Sequence, residues 1–145
     1  MRNILRDVRD FHKKFGLITQ DNPIHLTKRK LVERCECLQE ELQEFEAACN
    51  EQDLEAQVDA LIDLIYFALG TLVMLGIRPF LFKKLWKDVH RANMAKVRGT
   101  TQRGHAVDVC KPMGWIPPQG ALILAEAGYE GYNGEEGAID DNIHS

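Results

Sequence analysis

DLEAQVDALIDLIYFALGTLVMLG, residues 53–76, decides how this chain folds. Leucine, isoleucine, valine and aromatic residues dominate it, and between Val58 and Ile77 its only formal charges are Asp59 and Asp63. Leu54, Val58, Leu61, Ile65 and Leu72 fall on one helical stripe. At about 100° per residue, Asp59 and Asp63 lie about 40° apart on the opposite side, flanked by Tyr66, Phe67 and Gly70. The pattern predicts a helix from about Asp53 to Gly76. A helix that is apolar nearly all round is ordinarily buried, and a buried carboxylate is too costly to keep ionised without a partner. Something positive is therefore expected to face Asp59 and Asp63. The longest uncharged apolar run, Leu64 to Ile77, covers 14 residues; a membrane-spanning helix needs about 20, so the run reads as core.

Outward from this segment the same periodicity continues. Thr27 can cap a helix running to about Asn50, in which Leu31, Cys35, Leu38, Leu42, Phe45 and Cys49 form one apolar seam, with Cys35 expected in the core. Asn3 to Phe15 reads as a first helix closed by Gly16, followed by a loop through Gln20-Asp21-Asn22-Pro23. Pro79 opens a further helix to about Lys96. Short connections make the neighbours antiparallel, so the expected fold is all-α: a four-helix antiparallel bundle with an extended C-terminal tail. After Arg98 the periodicity dissolves, and the proline and aromatic patch from Lys111 to Pro118 suggests extended chain laid over the bundle with a short hairpin. The expected division is a helical domain over residues 1–118 and an acidic, glycine-rich tail over 119–145, with glycines at 128, 131, 134 and 137.

Composition narrows the class. The chain has 145 residues, 45% hydrophobic and 28% charged, which suits one soluble domain. Up to Lys96 it carries 15 basic and 15 acidic residues, and after it 3 basic and 7 acidic. A neutral body with an acidic tail argues against a nucleic-acid-binding surface. The four cysteines fit neither a zinc ribbon nor a disulfide framework, and the charged start, Met-Arg-Asn-Ile-Leu-Arg-Asp, has no signal-peptide core. A cytoplasmic location and no membrane partner are the expectation.

Glu40, Glu41 and Glu44 on the second helix project within an arc of about 100°, with Cys37 inside it and Arg34 at its edge. That helix offers no adequate cation for the aspartates, only more acid. Acidic helices are usually solvated faces. Two aspartates one turn apart inside an apolar run, however, have no cheap structural explanation. Packed together, the five carboxylates would repel or trap protons unless a divalent cation joined them. All-oxygen ligation suits Mg2+, with Mn2+ as the alternative, over zinc or copper. Arg91, Asn93 and Lys96 near the end of the fourth helix, followed by Arg98, Arg103 and Lys111, are residue types that suit a phosphorylated ligand. No histidine spacing fits a metal site, no Glu-x-x-His pair supports a ferritin-like centre, and no P-loop occurs.

From Leu31 to Lys96 the chain resembles the all-α nucleoside triphosphate pyrophosphohydrolase superfamily, in its small MazG-like, phosphoribosyl-ATP pyrophosphohydrolase-like branch. The resemblance is carried by Glu40-Glu41-Leu42-Gln43-Glu44, by Asp59-Ala60-Leu61-Ile62-Asp63-Leu64-Ile65-Tyr66 and by His90-Arg91-Ala92-Asn93-Met94-Ala95-Lys96. Val8 to Gly16 and the Lys111 to Pro118 tail extend it. One departure stands out: the family pattern places glutamate where Ala60 stands, and Asp59 is similar to the replacement found in phage-type members. The resemblance implies Mg2+-dependent hydrolysis of a nucleoside triphosphate, in particular a deoxynucleoside triphosphate, to monophosphate and pyrophosphate. It implies Glu41, Glu44, Asp59 and Asp63 as metal ligands and Glu40 or Glu44 as the residue orienting the attacking water. Asn93 and Lys96 would hold phosphates or sugar, Arg98 and Lys111 would close over them, and Phe11, His12, Tyr66 and Trp115 would flank the base. A homodimer or dimer of dimers is implied as well. The competing readings are phosphoribosyl-ATP hydrolysis and a non-catalytic helical interaction module.

Overall fold

A computed structural model describes residues 3–99 and 108–132. Helix α1 (Ile4–Lys14) starts where the Asn3 side chain accepts from the Arg6 amide. Helix α2 (Lys28–Glu51) is capped by Thr27, whose side chain accepts from the Lys30 amide, and ends at Gln52 in the left-handed region, φ 55°. Asp53 follows at once as the cap of α3 (Leu54–Met74), accepting from the Ala56 amide. Two residues therefore separate the helices, and the chain reverses between them. Helix α4 (Pro79–Met94) opens with proline, and strands β1 (Val97–Gly99) and β2 (Asp108–Cys110) form an antiparallel hairpin with Val97 opposite Cys110. A short helix, α5 (Gly120–Glu126), begins the segment expected as tail. Its seven residues are too few to show a period in sequence.

All four expected helices form, and the protein is all-α apart from the hairpin. The buried core gathers around the C-terminal half of α3. Leu5 and Val8 of α1 meet Leu69 and Val73, with Phe82 of α4 against them. Ile18 and Leu26 enclose Met74, and Ile123 of α5 packs on Ile77 and Leu81. At Gly76, φ +77°, a Cβ would come within 1.8 Å of the Asn22 carbonyl oxygen. Glycine is needed there for both the backbone angle and the approach of the loop.

The α2–α3 hairpin departs from the expected burial. The N-terminal half of α3 is not enclosed: Leu54, Val58, Leu61, Ile62 and Ile65 are all exposed. Leu31, Cys35, Leu42 and Cys49 of the α2 seam are exposed too, so Cys35 is not a core residue. The physical reason is which sides of the two helices meet. Residues near the acid-bearing side of α3 contact α2, and the apolar stripe turns outward. Helix α3, at 21 residues, is also long and apolar enough to cross a membrane by length and composition.

Candidate active site

Polar ties join the facing sides of α2 and α3 near both ends. Near the turn, the Gln57 side chain donates to the Ala48 carbonyl at 3.2 Å. At the far end the Arg34 Nε donates to Thr71 Oγ1 at 3.0 Å and its Nη2 to the Phe67 carbonyl at 2.9 Å, with the guanidinium 5.2 Å from the Phe67 ring centroid. Arg34 thus ties the two helices together through neutral acceptors. Sequence reasoning left it at the edge of the acidic arc. The signal was its spacing, seven residues before Glu41, which is about two turns along the same face.

Between these two ties lie the carboxylates. Glu41 is half-buried, and burial is the first cause that pushes its carboxyl above the usual range, followed by repulsion from Glu44, Asp63, Glu40 and Asp59. The other four acids singled out in the sequence therefore all act on Glu41, from its own helix and from across the hairpin. Glu41 Oε2 is buried and has no hydrogen-bond partner. The other four residues, Glu40, Glu44, Asp59 and Asp63, are exposed, which corrects the expectation that the aspartates sit in a dry interior. Among the described residues no three acid, histidine or cysteine side chains are already drawn together as ion ligands. The chemistry of the donor set still fits a hard divalent cation: oxygen donors alone, one of them a buried acceptor without a donor, in a field that resists full ionisation.

The remaining candidates divide into two groups. The rings of Phe11 and Tyr66 meet edge to face at 5.5 Å, one helical turn beyond Asp63, and Phe15 joins at 4.7 Å from Phe11. His12 faces inward instead. It is 4% exposed, its Nδ1 lies 2.9 Å from the Ile18 carbonyl, and a Cβ at Gly70 would stand 2.9 Å from its Nε2 and 3.3 Å from Arg34 Nη2. The carbonyl can only accept, so Nδ1 carries the proton. His12, Gly70 and Arg34 form the crossing point of α1, α2 and α3.

At the end of α4, the Lys96 and Lys111 ammonium groups lie 5.9 Å and 4.8 Å from the Trp115 ring centroid, and Trp115 Nε1 donates to the Ala92 carbonyl at 2.7 Å. The hairpin brings the tail lysine back to the helix. Asn93 and Arg98 are exposed beside them. Arg91 is engaged with Asp88 and the Pro117 carbonyl, and Arg103 lies outside the described residues. Helix α4 packs against α1 and α5 and makes no close backbone approach to α2 or α3, so the two groups of candidates are not gathered into one cleft by backbone contact.

No curated protein matches the chain. Residues 8–93 match the family model of phosphoribosyl-ATP pyrophosphohydrolase, from within α1 to the last turn of α4, and so include both acidic segments and the Phe11–Tyr66 pair. The chain belongs to the phosphoribosyl-ATP pyrophosphohydrolase family, whose members are nucleotide pyrophosphohydrolases, hydrolases acting on acid anhydrides, typically metal-dependent.

Proposed function

We propose that this protein hydrolyses a nucleoside triphosphate, in particular a deoxynucleoside triphosphate, to the monophosphate and pyrophosphate with Mg2+ at the α2–α3 hairpin. The observation that carries the reading is Glu41: a buried carboxylate oxygen without a donor, in a carboxyl that burial and four other carboxylates hold above the usual range. Glu41, Glu44, Asp59 and Asp63 would hold the ion, with Mn2+ an acceptable substitute. Bound there, it supplies charge neutralisation for the phosphates and lowers the pKa of a coordinated water. Glu40 or Glu44, both open to solvent, takes the proton of the attacking water. The bond broken is the anhydride between the α and β phosphates, and pyrophosphate leaves. In this reading Lys96, Arg98 and Lys111, which no backbone contact brings to the hairpin within one chain, would neutralise phosphate charge on the substrate, Asn93 would hydrogen-bond phosphate or sugar, and Phe11 and Tyr66 would offer ring faces to the base.

The reading includes a homodimer. A second hairpin laid on the outward stripe of α3 would cover Leu54, Val58, Leu61, Ile62 and Ile65. Lipid is a poorer cover. Asp59 and Asp63 sit near the middle of α3, where each ionised carboxylate would cost roughly 3 kcal/mol in a bilayer. Four free thiols, two of them exposed, suit a reducing cytoplasm.

The test is pyrophosphate release across eight ribo- and deoxyribonucleoside triphosphates, with phosphoribosyl-ATP as a ninth substrate because the family match favours it as the second reading. Mg2+-dependent release that disappears in Asp63→Asn with unchanged helicity is the expected result. Full turnover in EDTA, or retained by Asp63→Asn, would overturn the assignment. An inert protein that binds no Mg2+ would leave a helical interaction module.

A further inference from the structure

A second cluster of charge, opposite in sign, surrounds a cavity of about 660 Å³ between α1, the 20–23 loop and the start of α4. Arg6, Arg9, Lys13 and Arg78 line it against two carboxylates, Asp10 and Asp21. Arg9 is already committed, to the Gln20 carbonyl at 2.9 Å and to Asp21. Among the described residues, Arg6, Lys13 and Arg78 have no side-chain ion pair. The lining thus carries two positive charges in excess, four cations less two carboxylates, on a chain whose net charge is −4.

The neighbouring helix end adds to this. Arg78 occupies the cap position of α4 and makes no side-chain cap bond, the next residue is proline, and the first turn has no acid. A cation at the positive end of a helix is the reverse of the usual arrangement, in which Ser, Asp or Asn closes the free amides. An anion in the cavity would relieve both the cation crowding and the uncapped amides of Phe80 and Leu81, which line it. The walls are fixed: Arg9 clamps the loop on one side, and the Gly76–Asn22 approach holds the other. At the rim stands Phe80, an aromatic ring 81% exposed.

We propose that this cavity binds a nucleotide, its phosphates on Arg6, Lys13, Arg78 and the α4 amides and its base against Phe80, without metal. None of these residues belongs to the acidic hairpin, so the site is separate from the catalytic one and stands whether or not that assignment holds. A cavity of this size lies within the ordinary range for small-molecule sites, and base-on-ring stacking is the standard use of an exposed aromatic beside phosphate ligands.

Calorimetry of the full chain with adenosine 5′-diphosphate in EDTA, and with inorganic pyrophosphate as a second probe, tests the proposal. The expected result is saturable binding of the diphosphate, weakened about tenfold in the exposed-charge double variant Arg6→Gln/Arg78→Gln. Phe80→Ala should bring the nucleotide down to the affinity of pyrophosphate, and Asp63→Asn should bind as the parent does. Absence of saturation by millimolar concentrations, indifference to the double variant, equal affinities for both probes in the parent, or loss of binding in Asp63→Asn would each overturn it.

Discussion

Replacing Ile62 and Ile65 together by glutamine asks whether the outward stripe of α3 is an interface. Glutamine is a long polar helix former, so the helix itself is spared. In the single chain Ile62 is 56% and Ile65 49% exposed, so each keeps about half its surface to bury on association. Full burial of such a side chain is worth roughly 1.5–3 kcal/mol, hence about 1 kcal/mol for the remaining half. A two-fold interface uses each residue twice, giving four side chains and about 4 kcal/mol. At 1.4 kcal/mol per decade that is a weakening of the order of a thousandfold. Sedimentation velocity over a concentration series measures it directly, with pyrophosphate release followed in the same samples. The expected outcome is dissociation to monomers at concentrations where the parent stays dimeric, with activity falling in parallel. A parent that sediments as a fully active monomer, or a double variant that associates as tightly as the parent, would refute the reasoning.

Other substitutions probe the site from different directions. Glu41→Gln should raise the melting temperature in EDTA and abolish pyrophosphate release. The Glu41 carboxyl is held above its usual 4.5 by burial and four acidic neighbours. Folding therefore favours its protonated form and is opposed increasingly as pH rises from 4.5 through the raised value, so the full cost stands at neutral pH. A lower melting temperature for this variant would contradict the crowding. Parent protein should gain thermal stability with added Mg2+ and the glutamine variant should not, read in the same melts. Gly70→Ala places a methyl 2.9 Å from His12 Nε2, which the Ile18 carbonyl prevents from retreating. Overpacking of about 1–3 kcal/mol outweighs the roughly 1 kcal/mol gained in helix propensity; urea titration showing a more stable variant would count against the crossing geometry. Trp115→Phe loses the bond to the Ala92 carbonyl, worth about 1 kcal/mol, and loosens the two lysines. The expected signature is a several-fold higher KM with kcat little changed, and an unchanged KM would detach this cluster from substrate.

The helices were legible because their ends announce themselves chemically. Asn3, Thr27 and Asp53 each accept from an amide three residues on, and Pro79 opens α4 as expected. The influence of the other four acids on Glu41 was legible too, since helical spacing alone puts Glu41 and Glu44 on one side of α2 and both aspartates on one side of α3. Burial was not. Apolar content along residues 54–65 states that a surface is sticky, not which neighbour covers it, and the chain turns that stripe outward. His12 shows the same limit: periodicity located it on α1, while its inward direction depends on the Ile18 carbonyl and on a glycine 58 positions away. Arg34 was visible at the edge of the acidic arc but its role was not, because a guanidinium is expected to seek carboxylates, and here it seeks a hydroxyl and a carbonyl.

The two-residue turn at Gln52 and Asp53 has a kinetic side. From Glu40 to Asp63 the whole acidic set lies within 24 consecutive residues, closed by a link that needs almost no loop entropy. Contacts so local form early, before α4 and α5 can dock on the far half of α3. A nascent chain would then carry a finished acidic hairpin whose greasy back is still bare, and its hazard during synthesis would be sticking to a wrong neighbour instead of failing to find its own shape.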